Sequence, residues 1–271
     1  MKFLLSTMAL VLGVGGWSAC TAKEVSVHDP VMAKEGDTYY VFSTGPGITF
    51  YSSTNMKDWK AEGRVFKGQP TWAKRVAPTF DDHIWAPDVQ FHNGKYYLYY
   101  SVSAFGKNTS GIGVTVNKTL NPRSPDYGWV DQGMVLQSVP ARDDWNAIDS
   151  NIVEDGNGGA WMSFGSFLSG LKLVKLNDAW TGLAEPQEWH AIASRSSNAD
   201  APAGVDVGSA EIEAPFIFKK NGYYYLFASF GLCCRKGDST YHVVIGRSTS
   251  VTGPYVDKEG VDMMKGGGSL L

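Results

Sequence analysis

Three carboxylates stand out in this sequence of 271 residues: Asp29 in Val27-His28-Asp29-Pro30, Asp149 in Asn146-Ala147-Ile148-Asp149-Ser150-Asn151, and Glu213 in Glu211-Ile212-Glu213-Ala214-Pro215. Each precedes a short apolar run, then a Gly-containing turn, then an aromatic-rich strand. Two or three carboxylates that meet in a cleft suit acid/base cleavage of a glycosidic bond. A protonated carboxyl gives its proton to the leaving oxygen while an ionised one activates water. The two tasks need opposite settings. A nearby carboxylate raises the acid's pKa by like-charge repulsion, and the base needs a more polar site.

Residues so far apart need a repeated scaffold to bring them together. The segment 27–59 reads as strand, turn at Glu35-Gly36-Asp37, strand Thr38–Ser43, glycine-rich loop and strand Ile48–Ser52, with 60–83 as a connecting loop. A second copy begins with Trp85-Ala86-Pro87-Asp88, turns at Asn93-Gly94, and continues through strands Lys95–Val102 and Gly111–Asn117. The third, 148–177, has strands Ala160–Ser166 and Gly170–Leu176; the fourth, 213–255, turns at Lys220-Asn221-Gly222 and has strands Tyr223–Ser229 and Tyr241–Ser248. Asp29, Asp88, Asp149 and Glu213 are spaced by 59, 61 and 64 residues. A period near sixty with about four strands per unit predicts an all-β propeller whose inner strands line a central channel. The competing architecture is a β-sandwich with chance acidic spacing. The tyrosine runs Tyr39-Tyr40, Tyr96-Tyr97 and Tyr223–Tyr225 are expected in the blade core, and Asp88 is expected to make a structural hydrogen bond.

Composition sets limits. With 43% apolar residues a sizeable core is available, and 13% aromatics with 31 glycines favour short strands and tight turns over helices. A net charge of −3 provides no basic footprint for nucleic acid. Residues 1–22 read as an export signal. Lys2 precedes the apolar run Phe3–Val14, which is too short to span a bilayer, and small residues follow. Ala19-Cys20 also fits a bacterial lipoprotein site, against which Trp17 counts. The adjacent Cys233 and Cys234 cannot close an ordinary loop, so no disulfide framework is expected; two packed thiols are the first reading and a strained vicinal disulfide the alternative. His83, His92 and His242 are scattered, and no zinc, EF-hand or phosphate-loop spacing occurs, so neither a metal site nor an organic cofactor is expected.

The ordered set His28-Asp29-Pro30, Trp85-Ala86-Pro87-Asp88, Arg142–Asp149 (RDDWNAID), Glu213-Ala214-Pro215 and Ser229–Cys234 (SFGLCC) resembles glycoside hydrolase family 43, and within it most closely the endo-α-1,5-L-arabinanases. The resemblance covers residues 27 to 270. It implies a five-bladed propeller, inversion of configuration, and cleavage of internal links of arabinan by a secreted or periplasmic enzyme, read as a monomer. By the resemblance Asp29 is the general base, Glu213 the general acid, and Asp149 the group that raises the pKa of Glu213 and orients it. Inversion leaves room for a water, so the base and acid carboxyls are expected about 6.5–9.5 Å apart. His28 is a candidate for orienting Asp29.

The resemblance also gives a binding surface. Trp85 and Phe105 offer flat faces for a sugar, and Gly106, Asn146, Ala147, Ile148, Ser163, Ser166 and Phe167 lie on the loops and strand ends that surround the axis. Members of the group often carry a calcium near that axis. By the period a fifth unit would begin at about residue 275, so about four blades, within one catalytic domain over 23–271, are expected here. Competing functions are an exo-acting arabinofuranosidase or β-xylosidase of the same family, a furanosidase acting on fructans, and a carbohydrate-binding propeller without catalysis.

Overall fold

The structure, a computed structural model, describes residues 24–195 and 210–271. The export signal read over 1–22, with Cys20, lies outside the described residues. Four antiparallel sheets follow one another along the chain. The first holds β1 (Val31–Glu35), β2 (Thr38–Ser43), β4 (Thr49–Ser53) and β5 (Lys60–Arg64); the two-residue β3 (Gly45–Pro46) leaves it to pair with the next sheet. A single helical turn, α1 (Ala73–Val76), precedes the second sheet of β6 (His83–His92), β7 (Lys95–Val102), β8 (Ser110–Asn117) and β9 (Val130–Ser138). The third comprises β10 (Asn151–Glu154), β11 (Ala160–Phe164), β12 (Leu171–Lys175) and β13 (Trp189–Ala193). The fourth comprises β14 (Ile212–Lys220), β15 (Tyr223–Phe230), β16 (His242–Ser248) and β17 (Ser269–Leu270). The opening strands β1, β6, β10 and β14 lie side by side in that order, so the sheets are successive blades of a β-propeller.

Local chemistry explains the hairpins. Asn93-Gly94 and Asn221-Gly222 both take left-handed backbone at each position (φ 46 and 74, 50 and 80), as a two-residue hairpin of the favoured hand requires. Burial explains the stacking. On β7 the side chains alternate between two interfaces. Tyr96, Leu98 and Tyr100 join Phe42, Phe50 and Trp72 between the first and second blades, while Tyr97 and Tyr99 join Ile152, Met162 and Phe164 between the second and third. A third cluster, built on Trp161, Leu173, Ile217, Leu226 and Val244, joins the third and fourth. Each fully buried side chain of this kind contributes about 1.5–3 kcal/mol, so the interfaces, not isolated polar contacts, hold the blades together. Gly113 on β8 shows how close the packing is: a Cβ there would stand 2.6 Å from both the Trp72 and Tyr100 rings.

Several expectations change. The connecting loop read over 60–83 contains β5 and α1, and the outer strands β9 and β13 were not anticipated. Cys233 and Cys234 are disulfide-bonded to each other, not free thiols; they sit on the β15–β16 loop where Cys234 has φ 67.

The repeat register also shifts. The left-handed residues that open the inner strands are Asp29, Ala86, Asp149 and Ala214 (φ 44, 42, 60 and 54). Asp88 therefore lies two places after the opening residue of its blade, and Glu213 one place before. In the second and fourth blades a bulge lies between Trp85 and Asp88 and between Glu213 and Phe216, where Pro87 and Pro215 fall. Proline, which has no N–H for the ladder, is tolerated at such bulges.

Candidate active site

The corrected register gives the site a simple plan. His28, Trp85, Ile148 and Glu213 occupy one ring of equivalent positions, and Asp29, Ala86, Asp149 and Ala214 the next. Each blade then passes a hydrogen bond to the following one. The Thr44 hydroxyl, at the end of β2, accepts from the Ala86 N–H at 2.8 Å, and the Ser101 hydroxyl, at the end of β7, accepts from the Asp149 N–H at 3.1 Å. In the third blade the corresponding residue is Gly165, whose N–H donates to the Ile148 carbonyl. A side chain cannot stand there: φ is 131 and a Cβ would lie 3.0 Å from the Gly170 carbonyl. The Ala214 N–H is instead accepted by the Asp149 carboxylate. The missing hydroxyl thus ties the catalytic candidate of one blade to the strand that bears the next.

A deeper layer of latches lies two places into the strands. Asp88 accepts from the Ile152 N–H at 2.8 Å, and Asn151 accepts from the Ile217 N–H at 2.8 Å. Asp88 is fully buried, and Gln90 and Asn151 also donate to it, at 3.2 and 3.5 Å. Burial raises its pKa to about 6, although these donors oppose the shift. The structural role expected for Asp88 is the one observed.

The three carboxylates meet at the channel mouth in unlike settings. Asp29 is 43% exposed at its side chain. It accepts the Thr44 hydroxyl at 2.6 Å, and His28 Nε2 stands 3.6 Å away and open to solvent. Asp149 is half-buried as a residue, with its carboxyl surrounded by protein. Burial first, then the Glu213 and Asp29 charges, push its pKa well above the carboxylate range, and only the Ala214 N–H opposes them. Asp149 thus lies in the field of both other acids. Glu213 Oε2 accepts the Ser166 hydroxyl at 2.8 Å, and Ser166 bridges to Glu213 as a single ladder step. Tyr241 is 38% exposed as a residue, but its hydroxyl end lies beside the Glu213 carboxylate and the Ser229 hydroxyl, where local desolvation and then the Glu213 charge push the phenol up.

The other predicted site residues divide. Trp85 and Phe167 are half-buried near the carboxylates, and the Phe167 N–H donates to the Ile212 carbonyl at 2.7 Å, directly before Glu213. Phe105 is 83% exposed and Gly106 follows it in the β7–β8 loop. Asn108 Nδ2 donates to the Asp143 and Trp145 carbonyls, and Asn146 Nδ2 to the Lys107 carbonyl, so this loop is tied to the stretch that leads to Asp149. Asn146 and Ile148 are buried beneath the mouth, while Ala147 and Ser163 have no exposed surface. Ser163 donates to the Asn151 carbonyl within its blade. Thr44, Ser101 and Tyr241 were missed. A hydroxyl closing the second strand of a blade was the available signal for the first two. No group of three or more His, Cys, Asp or Glu suited to a metal occurs among the described residues.

Residues 23–268 match glycosyl hydrolases family 43. The chain belongs to that family. An extracellular exo-alpha-(1->5)-L-arabinofuranosidase of Cellvibrio japonicus is 67% identical over 93% of this chain and 73% of its own length. An extracellular endo-alpha-(1->5)-L-arabinanase of Bacillus subtilis is 40% identical over 100% and 82%. Among solved structures, an alpha-L-arabinanase of Cellvibrio cellulosa complexed with arabinohexaose superposes with a TM-score of 0.86 at 65% identity, covering 92% of this chain and 79% of the other. Membership makes this family 43 protein a glycoside hydrolase on a propeller, as the sequence reading expected. No helix among the described residues is long and apolar enough to cross a membrane.

Proposed function

We propose that this enzyme hydrolyses α-1,5-L-arabinofuranosyl links of arabinan by direct displacement with water. Asp29 is the base: exposed, oriented by Thr44 and next to solvent, it is the carboxylate suited to stay ionised and draw a proton from water. Glu213 is the acid. Asp149 stands beside it in the field of Glu213 and Asp29, which with desolvation pushes the pKa of Asp149 well above the carboxylate range; a carboxyl neighbour of this kind is what a general acid needs if it is to keep a proton for the leaving oxygen. The setting of Asp149, desolvated and in the field of both other acids with a single opposing donor, is the observation that carries this reading. Attack by water on the face opposite the leaving group inverts the anomeric centre, which proton NMR of the first-formed sugar tests; retention would contradict it.

The relatives' names support arabinan as substrate and bear on the mode of attack. The 67% identical relative is named for exo action and the 40% identical one for endo action, so the higher identity favours release from chain ends. Cleavage of internal links, the mode that the motif resemblance implies, is the second reading. Product sizes from linear arabinan separate them: arabinose or one short oligosaccharide from the outset for exo action, a spread of sizes for endo action. The catalytic unit is read as residues 23–271 behind an export signal at 1–22, in keeping with relatives named as extracellular. The five-blade ring remains a reading from the resemblance.

A further inference from the structure

We propose that Tyr241 is a positioning residue for the general acid, one that holds the Glu213 carboxyl in the rotamer from which it delivers its proton. The proposal rests on the acid role given to Glu213 above. Glu213 on β14 pairs with Ser229 on β15, and Ser229 pairs with Val243 on β16. Tyr241 stands two residues before Val243, on the same face, and so lies diagonally across from Ser229 and Glu213. Its hydroxyl reaches both the Ser229 hydroxyl and the Glu213 carboxylate.

Ser166 approaches Glu213 from the third blade and donates to Oε2 at 2.8 Å. The carboxyl is therefore held from two blades, by a serine on one side and a tyrosine on the other. An oxygen that accepts from Ser166 acts as the carbonyl oxygen of the protonated acid, so the proton to be delivered sits on Oε1. Once it has gone to the leaving oxygen, Glu213 is a carboxylate beside Asp149. The phenol, a donor at every working pH because its own pKa is pushed up, then takes up part of the new charge. Tyr241 sits where the loop 231–241 returns to the sheet. That loop is closed by the Thr240 N–H to Leu232 carbonyl bond, tied by the Gly231 N–H to the Glu211 carbonyl just before β14, and carries the Cys233–Cys234 disulfide.

The test compares two substrates with Tyr241→Phe: linear arabinan, whose leaving alcohol needs a proton, and an arabino-oligosaccharide with a 4-nitrophenyl leaving group, which leaves without one. General acid catalysis supplies about 10²–10⁴-fold, and loss of its positioning is expected to remove roughly tenfold of this in kcat on arabinan, with less than about threefold lost on nitrophenol release. Ser229→Ala, which frees the phenol, is expected to show the same split to a lesser degree. Equal losses on both substrates, or no loss on either, would overturn the proposal. Glu213→Ala, run in parallel, is expected to show the largest split. If it shows none, the acid role itself fails, whatever Tyr241→Phe does.

Discussion

Asp88 and Asp149 are both desolvated carboxylates near the start of neighbouring inner strands, Asp88 fully buried and Asp149 half-buried at the mouth, yet they do different work. Asp88 meets the Ile152 N–H and the amides of Gln90 and Asn151, and its pKa rises only to about 6. Asp149 meets one opposing N–H and two other acids, and its pKa is pushed well above the carboxylate range. Burial alone therefore does not mark a catalytic acid. The difference lies in the supply of donors: the structural carboxylate is surrounded by them and the functional one is kept short. A group short of donors is destabilised in its ionised form, which is how a site holds a proton near neutral pH.

The largest expected effect that sharpens this contrast is on rate. Glu213→Ala should lose about 10²–10⁴-fold in kcat/KM on arabinan, measured by reducing-sugar release. Asp29→Asn should lose a comparable factor, and both should unfold at the parent's temperature. Next comes stability. Asp88→Leu leaves the Ile152 N–H buried without a partner, so a loss of about 1–3 kcal/mol is expected in denaturant unfolding. The activity of the folded fraction should be retained. Asp88→Asn should be milder, because Asn151 already makes the equivalent latch to Ile217.

A pH effect follows from the same residue. Its folded pKa, about 6, exceeds the ordinary value of 3.8. The fold therefore binds its proton more tightly than the unfolded chain does. The contribution of Asp88 to stability is full below about pH 4 and is lost as pH rises to about 6. Relative to Asp88→Asn, the parent should lose up to about 3 kcal/mol across that window, measured as unfolding free energy at fixed temperature. A parent and mutant that run parallel from pH 4 to 6.5 would contradict the burial argument. The smallest effect is expected at Phe105→Ala. With 83% of the residue exposed, its loss should leave the melting temperature unchanged and raise KM for long substrates several-fold if the ring stacks on sugar.

Much of this was legible in the sequence, and the parts that were not have physical causes. The hairpins at Asn93-Gly94 and Asn221-Gly222 and the tyrosine-rich second strands were readable because turn chemistry and alternation are local signals. The outer strands were not. β5 reads Lys60-Ala61-Glu62-Gly63-Arg64, mostly exposed at a blade edge, and carries no apolar pattern to find. The repeat was found through its acids, but its true register follows backbone conformation. Asp29, Ala86, Asp149 and Ala214 share a left-handed φ, which a following proline marks at Asp29, Ala86 and Ala214 and nothing in the sequence marks at Asp149. The three candidate carboxylates were legible as residue types. Thr44, Ser101 and Tyr241 were not, since each matters through a partner roughly 15 to 50 residues away. For the cysteine pair it was the alternative reading, the vicinal disulfide, that the structure shows, because the turn that brings the sulfurs together is set by the β15–β16 loop.

The most direct test is the rate of reducing-sugar release from linear arabinan, at a temperature and pH where all are folded, by three proteins: the parent chain, Asp149→Asn and Asp88→Asn. An active parent, a loss of at least about 10²-fold in Asp149→Asn and nearly full activity in Asp88→Asn are the predicted results. Equal losses in the two variants, or an Asp149→Asn protein as active as the parent, would contradict the assignment of the site.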